Sequence, residues 1–342
     1  MESKKKKQLI ANAILFVVIL VATIWFVFRD ENVEEVVFAM KQMSVGHLLL
    51  AVCVAFVYVA AEGFMMWYLL RCMSGASSLK SCISCAFIGF LFSGITPSAT
   101  GGQPMQLYYL KKDGNSWSFG SLALMILALM YKLVLVLFGV GIWLFWGTSL
   151  KSYLGIGYYR LFLLGLFLNS ALVAGLLMVM LTPSVVRLLI DKAEWLAVKL
   201  HIMKKAGSKS ARLDHFMGNY QGALRYLKQH KERMVVILLA TVLQRVLVFA
   251  LTYIVYRGMG LQGTACTTIM WLQASVYIAV DMLPIPGAQG ITEAMYRHVF
   301  LTIFGVGSVT ASMCISRGVS FYLMLLVGIC VAFYQFVIKK MG

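Results

Sequence analysis

Three basic side chains stand well inside apolar runs: Lys132 within 117–146, Arg245 within 234–256 and Arg317 within 307–338. Glu62 lies in the second half of the span His47–Leu70, and Asp281, Glu293 and Arg297 lie around the break that follows Leu283. A charge facing lipid at mid-membrane costs about 2.5–3.5 kcal/mol, so each must face a partner or a cavity. Pairing that merely holds helices together, such as Asp281 with Arg317, explains any one of them equally well. Three cations on three runs strain that explanation, because only Glu62, Asp281 and Glu293 are at hand to neutralise them. Polar neighbours extend the pattern. Thr241, Gln244, Arg245 and Thr252 recur at helical spacing, as do Ser312, Ser316 and Ser320 beside Arg317. A basic, hydroxyl-lined cavity with apolar walls suits a phosphate carried on a lipid. Arginine grips phosphate with two parallel donors, and lysine acts as a point charge.

Two stretches interrupt the apolar runs. Thr96-Pro-Ser-Ala-Thr-Gly-Gly-Gln-Pro104 follows the run Cys82–Ile95, and Pro284-Ile-Pro-Gly-Ala-Gln-Gly290 follows Cys266–Leu283. Helices do not pass easily through such Pro and Gly clusters. Within a bilayer the freed backbone groups survive only against protein or a water-filled cavity. A run of about fourteen residues is also too short to span comfortably. Thr96, Ser98, Thr100, Gly101, Gly102 and Gln103 in the first break, and Pro286, Gly287 and Gln289 in the second, are therefore candidate head-group contacts. Lys132, Arg245, Asp281, Glu293 and Arg317 complete the candidate site.

The composition requires a membrane setting. Of 342 residues, 61% are hydrophobic and 13% charged, with a mean hydropathy of +0.85. The chain reads as an all-α polytopic membrane protein. Alternating barrel strands are absent. The net charge of +17 sits in segments flanking the apolar runs and has no nucleic-acid motif beside it, so no nucleic-acid partner is expected. Cys82-Ile-Ser-Cys85 has no second pair or histidine cluster, and no metal or other cofactor is expected. G-x-x-x-x-G-K-[ST], H-E-x-x-H and G-x-S-x-G are all missing.

Lysines orient the chain. Lys4–Lys7 precede a first span at Leu9–Phe28, and Lys339-Lys340 follow the last run, so both termini are expected in the cytoplasm of a multi-pass cell-membrane protein. The expected order has a first half, 1–181, with a re-entrant segment at 82–110 and a long span at Trp117–Trp146. An external loop at Thr148–Tyr159 and a return at Arg160–Leu181 follow. The connector 182–233 is basic: from Arg187 to Arg233, eleven Lys/Arg stand against four Asp/Glu, a balance of +7. Its part Val185–Leu200 reads as a helix on the inner surface, and 183–233 as a contact for anionic inner-leaflet lipid. A plain solvated connector is the alternative. The second half, 234–342, has its re-entrant segment at 266–304 and a last span at Gly307–Ile338. Counted this way, one break is entered from the cytoplasm and the other from outside. That order gives two inverted-topology repeats, each with a broken re-entrant helical hairpin. Gly101-Gly102-Gln103 beside Gly287-Ala288-Gln289 is the thin direct similarity between them. Lys112 and Lys209 then fall inside, and Thr148 and Gly263 outside.

The first break, together with Pro284-Ile-Pro-Gly-Ala-Gln-Gly-Ile-Thr-Glu293, resembles the lysylphosphatidylglycerol synthase transmembrane-region family. That family includes the flippase-type membrane domain of multiple peptide resistance factor proteins. The likeness covers essentially the whole chain. Ala288 departs from the family's P-x-P-G-G-x-G-x-x-E pattern. The resemblance implies a domain that moves an aminoacylated or glycosylated phospholipid between leaflets. Larger members append a soluble aminoacyl-transferase domain, whereas this chain ends at Gly342. A stand-alone membrane domain is expected, with any lipid-modifying synthase a separate partner. The leading expectation is transbilayer movement of an anionic or modified phospholipid or glycolipid. The alternatives are an intramembrane transferase, or an accessory subunit, acting on lipid-linked sugars or polyprenyl phosphates. A homodimer stays open.

Overall fold

The computed structural model describes residues 33–73, 75–182 and 229–335, with residues 218, 222, 224 and 225 between them. The expected first span 9–28, the surface helix 185–200, most of the basic connector and Lys339-Lys340 lie outside the described residues. All regular structure among those described is helical. In order, the elements are α1 (Val33–Lys41), α2 (Val45–Cys72), α3 (Leu79–Gly94), α4 (Gly102–Lys112) and α5 (Trp117–Leu181). Then come α6 (Lys231–Gly258), α7 (Cys266–Val280), α8 (Ile291–Phe304) and α9 (Val306–Arg317). A π-helical stretch at Gly318–Leu323 leads into α10 (Met324–Phe333). Four stretches, Val45–Cys72, Trp117–Met178, Lys231–Gly258 and Val306–Phe333, are long and apolar enough to cross a membrane.

Local chemistry sets several boundaries. Ser78 and Ser116 stand just before α3 and α5, and their hydroxyls accept from Ser81 N (3.2 Å) and Phe119 N (3.1 Å). The 65 residues of α5 do not run straight, because Gly155 has φ +65° and ψ 173°. A methyl group placed on Gly139 would lie 2.7 Å from Leu166 Cδ1. A continuous helix would hold those residues about 40 Å apart. The chain therefore folds back at Gly155, in a backbone conformation that favours glycine. The external loop expected at Thr148–Tyr159 is instead helical on both sides of this one residue.

Hydrogen bonds fix which helix ends meet. Ser77 Oγ donates to Asp113 Oδ2 (2.5 Å) and Ala76 N to Asn115 Oδ1 (3.1 Å), joining the start of α3 to the end of α4. Further in, Ser81 Oγ donates to Tyr109 OH (3.2 Å) and Cys85 Sγ to the Gln106 carbonyl (3.5 Å), so α3 and α4 run antiparallel. At the same end Arg233 Nη1 donates to Cys72 Sγ (2.8 Å), setting the end of α2 beside the start of α6. At the opposite end Ser44 N donates to the Gly258 carbonyl (2.9 Å). There Thr264 N donates to Tyr256 OH (3.2 Å), and the Tyr256 ring lies 5.6 Å from Phe304, the last residue of α8. The α7–α8 pair thus opens toward this second end, and α3–α4 toward the first. Between them the two breaks touch.

The second break begins earlier than expected, because α7 ends at Val280 rather than Leu283, and the first ends earlier. Helix resumes at Gly102, so Gly102, Gln103 and Pro104 belong to α4. Proline is tolerated there because a first-turn N–H has no helical acceptor. The last span is not one uniform α-helix, since its hydrogen bonding widens right after Arg317.

Candidate functional site

The two breaks share a backbone. Thr96 (φ −118°, ψ 145°) and Ile285 (φ −117°, ψ 129°) are extended, and each precedes a proline. Then Ser98 and Ala99 take φ +49° and +54°, as Gly287 and Ala288 take +58° and +49°. Ala99 N bonds the Thr96 carbonyl and Thr100 N the Pro97 carbonyl, both at 3.2 Å. Ala288 N bonds Ile285 at 3.0 Å and Gln289 N bonds Pro286 at 3.3 Å in the same way. The equivalent stretches are therefore 96–99 and 285–288. Pairing Gly101-Gly102-Gln103 with Gly287-Ala288-Gln289 is out of register. Composition misled that comparison, because Ser98 and Ala99 adopt a conformation usually left to glycine.

A cavity of about 190 Å³ lies where the two turns meet. Ser98 and Ala99 of the first break and Ile285, Gly287 and Ala288 of the second line it. Its other walls carry Tyr58, Tyr131, Tyr277 and Tyr296, the polar Thr252, Gln273, Ser316 and Ser320, and the charged Asp281 and Arg317. Of the expected site residues, Ser98, Asp281, Gly287 and Arg317 face it directly. Thr96 is buried in the turn, where its hydroxyl donates to the Phe92 carbonyl (2.6 Å) and accepts from Gly101 N (2.8 Å). Thr100 is exposed and its hydroxyl donates to the Pro97 carbonyl (2.9 Å). Gln103 is exposed, while Gly101 and Gly102 pack within the hairpin. Pro286 and Gln289 are buried, and both amide atoms of Gln289 lack a partner.

The charges are arranged in two pairs and a remainder. Lys132 of α5 pairs with Asp281, whose other oxygen accepts from Tyr131 OH at 2.5 Å. Arg317 Nε donates to Glu293 Oε1 (2.8 Å) and its Nη2 to the Gly287 carbonyl (3.1 Å). Glu293 Oε2 in turn accepts from Gly290 N (2.7 Å). The pairing of Asp281 with Arg317 that the sequence allowed is not formed. Arg245 is 4% exposed and no carboxylate pairs with it among the described residues. Its guanidinium lies between the rings of Tyr58 (4.7 Å) and Tyr131 (4.4 Å), in cation–π contact with both. Nη2 donates to Gln244 Oε1 (2.9 Å), and Nε has no partner. Lys132 and Arg245 thus sit one layer behind the cavity wall.

Sequence reasoning missed the tyrosines. Single aromatic residues in apolar runs look like packing, and only the fold brings Tyr58, Tyr131, Tyr277 and Tyr296 around one space. Thr252, Ser316 and Ser320 were legible from helical spacing. Thr241 and Ser312, read from the same pattern, are buried and do not line the cavity: Thr241 Oγ1 donates to the Ile237 carbonyl (2.8 Å), while Ser312 Oγ donates to the Val309 carbonyl (2.8 Å) and accepts from Tyr296 OH (3.3 Å) behind the wall.

No curated protein sequence matches the chain. The family model for the lysylphosphatidylglycerol synthase TM region matches residues 12–328. That match takes in both broken helices, the cavity between them and every charged residue around it, and this membrane protein belongs to the lysylphosphatidylglycerol synthase TM-region family.

Proposed function

We propose that the protein passes the head group of an anionic or modified phospholipid or glycolipid across a cell membrane through this cavity, with the acyl chains left in the bilayer. On this reading α3–α4 and α7–α8 are re-entrant hairpins of two inverted-topology repeats. Their first helices have 16 and 15 residues, a rise of about 24 and 22 Å, short of the roughly 30 Å hydrocarbon core. They open toward opposite ends of the molecule, and their tips touch. The basic segment 183–233 would rest on anionic lipid of the inner leaflet, with both termini on that side.

The observation that carries the reading is the charge around the cavity. Among the described residues Lys132 and Arg317 are each held in an ion pair, by Asp281 and Glu293, whereas Arg245 forms none, so its guanidinium is open to a phosphate. The space is below the roughly 300–1000 Å³ of pockets that enclose a whole drug-sized ligand. It suits a head group rather than an entire lipid.

Full-length protein in phosphatidylglycerol vesicles, with a head-group-labelled tracer and an impermeant quencher, tests this. Protein-dependent exchange between leaflets is expected. Ser320→Leu, which fills the cavity without touching an ion pair, should slow it at least about tenfold at a stability cost of no more than about 1–3 kcal/mol. Absence of exchange for every phospholipid tried, or full exchange in Ser320→Leu, would overturn the reading.

A further inference from the structure

Glu62 lies one helical turn along α2 from Tyr58, the ring stacked on Arg245. Its Oε1 accepts from Gln106 Nε2 of α4 (2.6 Å), and no cation pairs with it among the described residues. α6 lies directly against this stretch of α2, with Gln244 Nε2 donating to the Tyr58 carbonyl (2.7 Å) and Thr241 Oγ1 to Met65 Sδ (3.3 Å), so Glu62 and Arg245 are neighbours that form no ion pair. Other groups around Glu62 are accounted for. Gln106 of α4 is neutral, and the Cys85 thiol of α3 donates to the Gln106 carbonyl. On α5, Tyr131 and Lys132 are both engaged by Asp281, and beyond them Arg317 is engaged by Glu293. The charge left to answer a change on Glu62 is therefore Arg245.

One buried guanidinium compensates one anion. A phosphate brought to Arg245 beside an ionised Glu62 would place two negative charges around a single cation in a low-dielectric setting, which favours protonation of the carboxylate. The way in from the cavity is short, because Tyr58 and Tyr131 both line it and both cover the guanidinium. The unpartnered Nε leaves Arg245 with one buried donor unspent.

We infer that Arg245 and Glu62 form a proton-linked anion site. A phosphodiester pairs with Arg245 as Glu62 takes up one proton from water, and when the anion leaves, Glu62 loses that proton and again balances the arginine. The lipid as source of the phosphodiester rests on the transport reading, whereas the anion site itself does not. A diester fits better than a monoester, since its single charge matches one guanidinium and stays constant across the working pH range.

The test uses full-length protein in detergent, titrated calorimetrically from about pH 5 to about pH 9 in two buffers of different ionisation enthalpy. The probes are dihexanoyl-phosphatidylglycerol and dimethyl phosphate, which carries the same diester without chains. Wild-type affinity should fall as pH rises, by up to about tenfold per unit, with close to one proton taken up per anion bound. Glu62→Gln imitates the protonated carboxyl, so it should bind tightly at every pH with no proton uptake. Arg245→Gln should lose at least about tenfold in affinity throughout. Binding of both probes supports a site that reads the diester itself, and binding of the lipid alone assigns the source to the head group. A pH slope retained in Glu62→Gln, loss of binding in that variant, or wild-type binding without proton uptake would overturn the inference. The wild-type proton count decides even if a variant folds poorly. Absent lipid exchange in vesicles sinks the transport reading alone, because the detergent titration still decides the site.

Discussion

Lys132 and Asp281 form an ion pair that ties α5 to the C-terminal end of α7, at the start of the second break. The two side chains are 12% and 13% exposed, so water does little to soften the loss of either partner. Lys132→Met leaves the Asp281 carboxylate with Tyr131 as its remaining donor. Breaking a buried pair in this way costs about 3–5 kcal/mol. Thermal unfolding in detergent should show this loss in Lys132→Met and in Asp281→Leu. The double variant should recover much of it, since it removes both charges together. Strict additivity of the two single losses would mean that the pair is not coupled.

Arg317 faces the cavity, yet two of its donors already hold the second turn. The sequence-based expectation of a phosphate contact implies that Arg317→Met spares stability. With Glu293 at 3% exposure, that substitution instead strands a buried carboxylate and should destabilise by about 3 kcal/mol. Arg317→Lys keeps the charge but cannot reach Glu293 and the Gly287 carbonyl in the same fork, so a smaller loss of about 1 kcal/mol is expected. A methionine variant as stable as wild type would show that this pairing does not hold the turn.

Neighbouring positions in the second turn should respond in opposite directions. Gly287 has φ +58°, and a methyl group there would run into the Phe321 ring, so Gly287→Ala should cost more than the conformational term alone. Ala288 already sits at φ +49°, a conformation that costs an L residue about 1–2 kcal/mol. Ala288→Gly removes that strain but loosens the unfolded chain, and a net gain of up to about 1 kcal/mol is expected. Differential scanning of the two variants decides it. A gain in Gly287→Ala would contradict the packing against Phe321.

What the sequence revealed divides along physical lines. Broken helices were legible because Pro and Gly clusters interrupt apolar runs whatever the tertiary fold. Lys132, Arg245 and Arg317 stood out because charge is costly within such runs. Their partners were not legible. Asp281 is 149 residues from Lys132 in the chain, and nothing local distinguishes that pairing from Asp281 with Arg317. The shared turn was hidden for a different reason. Its left-handed residues are Ser98-Ala99 in one break and Gly287-Ala288 in the other, so the backbone is alike where the side chains are not. The reversal between Trp146 and Arg160 was legible, but its form was not, because the helix continues on both sides of the single residue Gly155.

Cysteine labelling can show which helix ends share a side of the membrane. The bonds of Ser77 to Asp113 and Ala76 to Asn115 bring the two ends of the α3–α4 hairpin together, so Lys80 and Lys112 are expected on one side. The contacts of Ser44 with Gly258 and of Tyr256 with Phe304 place Gly263 at the opposite end. Thr148 follows Gly147, where a methyl group would lie 3.9 Å from Tyr159 OH, close to the reversal that ends the first limb of α5. With the seven native cysteines replaced, single cysteines at Lys80, Lys112, Thr148 and Gly263 can be labelled by an impermeant maleimide in intact cells and in inverted vesicles. Lys80→Cys and Lys112→Cys should react together in inverted vesicles. Thr148→Cys and Gly263→Cys should react in intact cells. Opposite labelling of Lys80→Cys and Lys112→Cys would mean that α3 and α4 cross the membrane between them. The hairpin would then not be re-entrant, and the two touching turns could not be the meeting tips of inverted repeats.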